Sequence, residues 1–273
     1  MKKEIKSHVY IPNSILKKFG YKDDNNAFVI DYIDFSDNKI KTMPTKQYNI
    51  GRGYYDNENE QILANEVENK IGNVIKKLEK DLRECGVNAK LTKKEVDVLF
   101  KYISYYLIRN DEAIEALNDI KTDLIPFSTK YNIALTAQKN IINKKDPKKL
   151  KNELIKNEKD NRLINYALSD MKIVISFNKT NKKVLITNST KTLKIDKREY
   201  SYIALSITPN IFISVVNGNI SKERYIIQEI SDETTIDGYN NYLYLIARET
   251  KPYILAGNKV ELKRVLKDNK KLQ

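Results

Sequence analysis

Apolar residues change their spacing twice along this chain, dividing it into three stretches. In the first, Ala27-Phe28-Val29-Ile30-Asp31-Tyr32-Ile33-Asp34-Phe35 and Lys39-Ile40-Lys41-Thr42-Met43 flank Ser36-Asp37-Asn38. Two apolar runs around such turn residues predict a β-hairpin. Upstream, Asn13 or Ser14 can cap a short helical turn carrying Ile15, Leu16 and Phe19, with Gly20 as its stop. Residues 44–56, which include Gly51-Arg52-Gly53-Tyr54-Tyr55, lack a helical period and the spacing of a phosphate-binding glycine loop. They read as a connecting loop, with Arg52 as a phosphate candidate.

The second stretch is helical. Leu63, Val67, Ile71, Val74, Leu78 and Leu82 recur every three or four residues, placing one apolar stripe on a helix that Gly86 terminates. Thr92-Lys93-Lys94-Glu95 has the form of a capping box, and Val96, Leu99, Ile103 and Tyr106 continue from it as a second amphipathic helix ending at Arg109. Two antiparallel helices over 58–85 and 93–109 are predicted, packed through Leu63, Ile71, Leu78, Leu99 and Ile103. An acidic helix near 111–121 follows, with shorter ones at 131–142, 148–158 and 161–169. Asn143-Lys144-Lys145-Asp146-Pro147-Lys148-Lys149-Leu150 reads as a solvated loop and helix start.

In the third stretch, residues 172–177 and 183–187 read as strands joined by the basic tip 178–182, a second hairpin. Strands at 200–206 and 211–216, helices at 222–231 and 235–248, a strand at 253–255 and a terminal helix after Asn258 complete the prediction. No repeat or low-complexity linker separates the stretches. One α+β domain over 1–273 is expected: an N-terminal β-hairpin region in 1–56, a helical middle in 57–170, and a mixed β-sheet with helices in 171–273.

Charge adds a partner class. The 273 residues carry a formal net charge of +13, which attracts phosphate polyanions through counterion release. Codon bias is the competing account, because Lys, Asn, Ile and Tyr are the residues of AT-rich codons. The charge is polarised: residues 172–198 hold Lys172, Lys179, Lys182, Lys183, Lys191, Lys194, Lys197 and Arg198 against Asp196, whereas 111–123 hold five acids against Lys121. Nucleic acid or an acidic protein is the expected partner, with Arg109, Lys179, Lys182, Lys183, Lys191 and Lys194 as the contacts. No apolar run approaches the roughly 18 residues of a membrane span. Charge at 1–6 is not followed by the apolar core of a signal peptide, since Ser7, His8, Pro12 and Asn13 interrupt it. A cytoplasmic location is the expectation. One cysteine, Cys85, and one histidine, His8, make neither an internal disulfide nor a Cys/His zinc cage.

Few side chains stand out as chemistry. His8 titrates near neutrality and is a candidate general base, although a lone histidine beside an apolar strand is more often a structural residue. Glu60 and Glu68 lie eight residues apart on one helix, about 80° around its axis. Together they are candidate ligands for Mg²⁺ completed by water, or else a solvated face, a reading that Glu66 beside them favours. Arg109 can clamp a phosphate, pair with Glu68 in the core, or simply complement a helix C-terminus. Eighteen tyrosines and no tryptophan, with Tyr102, Tyr105 and Tyr106 at helical spacing, offer faces for unpaired bases or for core packing. No nucleophile elbow, Walker loop or dinucleotide fingerprint is present.

The order of several loose motifs resembles an uncharacterised bacterial family, domain of unknown function 4238. Its members open with His, then Tyr-Val/Ile-Pro and a short helix ending in an aromatic residue, as in Tyr10-Ile11-Pro12 and Leu16 to Phe19 here. A glutamate-bearing helix is matched by Glu60 and Val67-Glu68, a helix ending in arginine by Leu107-Ile108-Arg109, and later segments by Ile186-Thr187-Asn188-Ser189-Thr190 and Ser206-Ile207-Thr208-Pro209. The chain departs in placing Val9 before the tyrosine, with His8 one residue earlier, in having Thr190 where an acid is expected, and in lacking Thr-Pro after the arginine. The resemblance implies a mobile-element or antiviral setting. The reading that follows is a protein that binds or processes nucleic acid, as an enzyme by metal-assisted phosphodiester hydrolysis with His8 as base. The alternative is a noncatalytic module that senses or inhibits an acidic partner.

Overall fold

The structure, a computed structural model, describes residues 6–52, 54–109, 147–159, 171–188, 193–195, 198–200, 203–217, 224–249 and 254–270. Strand β1 (Lys6–His8) is followed by helix α1 (Asn13–Phe19), β2 (Tyr21–Lys22), β3 (Phe28–Asp34), β4 (Lys39–Pro44) and β5 (Ile50–Arg52). The hairpin β3–β4 forms as its pattern predicts, with Asp34 opposite Lys39 and Val29 opposite Pro44. Its turn is closed by carboxylates: Asp34 Oδ1 accepts Ser36 N at 2.9 Å, Asp37 Oδ1 accepts Lys39 N at 3.1 Å, and Asn38 takes the left-handed conformation at φ 54°. Helix α1 starts at Asn13 after Pro12, with no side-chain cap from either expected residue. The supposed loop over 44–56 contains β5, which pairs with β1 and sets His8 opposite Ile50. Three residues are too few to carry a period, so only the pairing reveals this strand.

The long helix is α2 (Asn57–Ile62), a π-helical turn (Leu63–Glu68) and α3 (Asn69–Cys85). Asp56 caps it by accepting Asn59 N at 2.9 Å, and Gly86, at φ 56°, ends it by donating to Leu82 O. Helix α4 (Lys93–Arg109) begins with the predicted box: Thr92 N donates to Glu95 Oε2 at 2.7 Å and Glu95 N to Thr92 Oγ1 at 3.3 Å. Leu63, Ile71, Leu78, Leu99 and Ile103 are all buried. Helix α5 (Pro147–Lys159) packs on α2 and α4. The helices expected at 111–121, 131–142 and 161–169 lie outside the described residues.

The last third is a four-stranded sheet in the order β11 (Tyr225–Ile230), β6 (Met171–Asn178), β10 (Ile211–Asn217), β9 (Ile203–Thr208), parallel between β11 and β6 and antiparallel elsewhere. The short pair β7 (Leu193–Ile195) and β8 (Arg198–Tyr200) stands beside it in sequence. Helix α6 (Glu233–Glu249), β12 (Ala256–Gly257) and helix α7 (Lys259–Lys270) follow. Two expectations are corrected. Residues 183–187 do not pair with β6 as a hairpin; Ile186 instead bridges Ala256. The buried Asn240 of α6 replaces a strand neighbour, accepting Leu185 N and donating to Lys183 O, each at 2.8 Å. Residues 225–230 are a strand rather than a helix, because parallel pairing to β6 satisfies their backbone and overrides a short run of ambiguous period. One apolar core runs through all three stretches, from Ile11 and Ile30 through Ile71 and Leu99 to Ile175 and Leu262. β12 pairs with β3, which joins the C-terminal part to the N-terminal sheet.

Candidate functional site

The segment after β1 is held from both sides. Asn49, at φ 53°, accepts Tyr10 N at 3.2 Å and Ile11 N at 3.4 Å through Oδ1, and donates to Ile11 O at 3.3 Å. Tyr55 Oη donates to Val9 O at 2.6 Å in the interior. This clamp sets His8, whose Nε2 lies 3.0 Å from Thr45 O. A carbonyl only accepts, so Nε2 carries the hydrogen and the neutral ring presents Nδ1 as its basic atom. Burial lowers the His8 pKa from its ordinary 6.5; the Thr45 carbonyl and Glu68 oppose that shift, Arg109 adds to it, and the net direction is down. The imidazole is therefore neutral at pH 7.

Glu68 ends the π-helical turn, and Arg109 ends α4. Their side chains meet, with Arg109 Nη2 2.8 Å from Glu68 Oε1. Arg109 is 4% exposed, and its Nε has no hydrogen-bond partner among the described residues. Burial works against its charge but is outweighed by Glu68 and Tyr55, whose ring lies 5.9 Å from Cζ. Tyr102 is buried beside the pair, and burial raises its pKa. Because His8 feels both Glu68 and Arg109, the three predicted residues share one electrostatic neighbourhood. Glu60 is half-buried on α2, with Oε1 in the interior. The π-helical turn lies between it and Glu68, so the 80° offset expected of a continuous α-helix does not apply. Among the described residues, no three of His, Cys, Asp and Glu gather as a metal site.

Lys151 on α5 was not anticipated. Fully buried, it donates to Arg109 O at 2.8 Å and Tyr54 Oη at 2.9 Å, and lies 5.2 Å and 5.4 Å from the ring centroids of Tyr54 and Tyr10. It thus closes the C-terminus of α4 where the dipole favours a cation. Its signal was a lysine in register with Leu154 and Ile155 on an apolar face. Asn152 fixes α5 in place, its Oδ1 accepting Asp56 N at 2.9 Å and Asn59 Nδ2 at 2.7 Å.

Three lysines of the basic stretch are engaged. Lys179 pairs with Glu229 at 2.7 Å, Lys182 with Asp237 and with Glu233 at 3.5 Å, and Lys183 donates to Asn210 Oδ1 at 2.9 Å. Lys194 stands opposite Glu199 in the β7–β8 ladder; Lys191 lies outside the described residues, as does the Arg52 side chain. In the later family-like segments, Thr187 O accepts Tyr106 Oη at 3.1 Å and Pro209 O accepts Val184 N at 3.0 Å; Ser189 and Thr190 lie outside the described residues.

Fold and site together define an α+β protein with two buried cations, Arg109 and Lys151, beside a neutral imidazole. The chain belongs to the family described as "Protein of unknown function (DUF4238)", which matches residues 7–250 and so includes His8, Glu68, Arg109 and Lys151. Neither the comparison with curated proteins nor that with solved structures gives a match. Among the described residues no helix is long and apolar enough to cross a membrane.

Proposed function

We propose that this protein binds nucleic acid in the cytoplasm and hydrolyses phosphodiester bonds at the His8, Glu68 and Arg109 centre, in a mobile-element or antiviral setting. The observation that carries the reading is a histidine kept neutral, oriented by a carbonyl, within electrostatic reach of an arginine whose buried Nε has no partner among the described residues. An imidazole so placed takes a proton from water at Nδ1 while Nε2 stays bonded to Thr45. The resulting hydroxide attacks phosphorus, the leaving oxygen departs with the proton returned by the imidazolium, and the guanidinium stabilises the phosphoryl oxygens. The net charge of +13 supports the choice of a polyanionic substrate. Mg²⁺ held by Glu60 and Glu68 is a variant of this proposal; it requires Glu68 to leave Arg109, so chelation separates the two forms.

The test uses labelled single-stranded DNA, duplex DNA and RNA, with Mg²⁺ or with chelator. Wild type is expected to bind with an affinity that falls steeply with salt and to cleave at least one substrate. His8→Gln, which keeps a donor for Thr45 O, is expected to bind but not to cleave. Binding without cleavage by wild type would favour the second reading, a noncatalytic module for an acidic partner, which the existing Arg109–Glu68 pair supports. No binding to any nucleic acid at low salt would overturn the proposal and leave codon bias as the account of the charge.

A further inference from the structure

A cleft of about 580 Å³ opens next to this centre, between the β3–β4 turn, the Asn49 clamp and the last turn of α6. Its walls are aromatic: Tyr10, Tyr32, Phe35 and Tyr48, with Tyr32 and Tyr48 ring centroids 5.1 Å apart and inclined at 46°. Asp34, Asn49 and Arg248 supply polar groups on the lining. Tyr10 is common to both places, since it lines the cleft and its ring centroid also lies 5.4 Å from Lys151 Nζ. Asn49 is shared in the same way, lining the cleft while holding the backbone that carries Tyr10 two residues after His8.

We propose that this cleft is a base subsite, taking one unpaired nucleobase of a single-stranded nucleic acid. The volume suits a small planar ligand, and flat rings on several walls stack on any base without reading its sequence. The polar groups favour a heteroaromatic ring over a hydrocarbon. Asp34 accepts from exocyclic amines, while Arg248 and the second Nδ2 hydrogen of Asn49 donate to ring carbonyls. Lys41 and Ser36 hold the Asp34 carboxyl well below its ordinary range. An ionised carboxylate in the lining disfavours a phosphate there, so the adjoining phosphate stays outside the cleft. The inference rests on the proposed function in needing a nucleic acid, but it adds a strand preference and a place for the base.

The experiment compares short labelled single strands that are identical except for one abasic position, and a matching strand carrying 2-aminopurine at that position. The chain has no tryptophan, so the probe can be excited without an indole background. Wild type is expected to quench 2-aminopurine and to bind the abasic strand about ten-fold more weakly, in the range of one lost stacking contact. Tyr32→Leu, which alters the cleft but none of the Lys151 contacts, should weaken binding of the intact strand to a similar degree and leave the abasic strand unaffected. Equal binding of intact and abasic strands by wild type would overturn the base subsite while leaving phosphate binding standing. Failure to bind either strand at low salt would overturn both.

Discussion

Replacing Glu68 by Gln keeps the shape of the side chain and removes its charge, leaving Arg109 buried without a counter-ion. Breaking a buried pair by removing one partner typically costs about 3–5 kcal/mol. Two features reduce that here: the Glu68 side chain is 26% exposed against 4% for Arg109, and Gln still accepts a hydrogen bond from Nη2. A loss of about 2 kcal/mol is the expected result, which for a chain of this size lowers the melting temperature by roughly 4–6 °C. Glu66→Gln is the internal control. It sits on the same π-helical turn, but its pairs with Lys70 and Lys101 are solvated, so its change should stay within about 0.5 kcal/mol. Thermal denaturation followed by circular dichroism measures both. Equal melting of Glu68→Gln and wild type, within about 1 °C, would refute the claim that Arg109 depends on Glu68 for its charge.

Ile71→Ala should lower stability by about 2–5 kcal/mol, since Ile71 is completely buried on the stripe of α3; urea titration showing no loss would mean that this stripe does not carry the helix packing. Asn240→Ala strips the partners from Leu185 N and Lys183 O and should cost about 1–3 kcal/mol, measured the same way. His8 gives a pH dependence of definite sign. Its folded pKa lies below 6.5, so as pH falls the unfolded chain binds the proton first. The stability from neutral His8 is thus present above 6.5 and lost as pH falls through the folded value; His8→Gln should remove that component from stability measured across this window.

The helical middle was legible because Leu63 to Leu82 hold one period over five turns, and because the Thr92–Glu95 box and Gly86 mark ends chemically. The β3–β4 hairpin was legible for the same reason, a turn whose carboxylates close it locally. What escaped depends on partners distant in sequence. The strand at 225–230 exists through β6, the path of 183–187 through Asn240, and β5 through β1. The site divides in the same way. His8, Glu68 and Arg109 could be named as chemistry-bearing residues, and the Arg109–Glu68 pair was one of the expected readings; the setting of His8 near it depends on the Asn49 and Tyr55 contacts to residues 9–11, which leave no spacing to read. Lys151 was visible only as a charge on an apolar face. The lysines at 179–183 looked like an open basic tip because their acids, Glu229, Glu233 and Asp237, lie about fifty residues downstream.

The most direct measurement of the central claim follows the imidazole itself, since the chain has one histidine and its ring gives a single set of resonances. NMR titration of ¹⁵N-histidine-labelled protein, free and with a saturating short single strand, reports tautomer and pKa together. The expected result is a free pKa below 6.5 with the hydrogen on Nε2, and an upward shift on binding as a phosphate brings negative charge to the centre. A His8 resonance and pKa unchanged by an oligonucleotide that is demonstrably bound would contradict it, placing nucleic acid elsewhere on the surface.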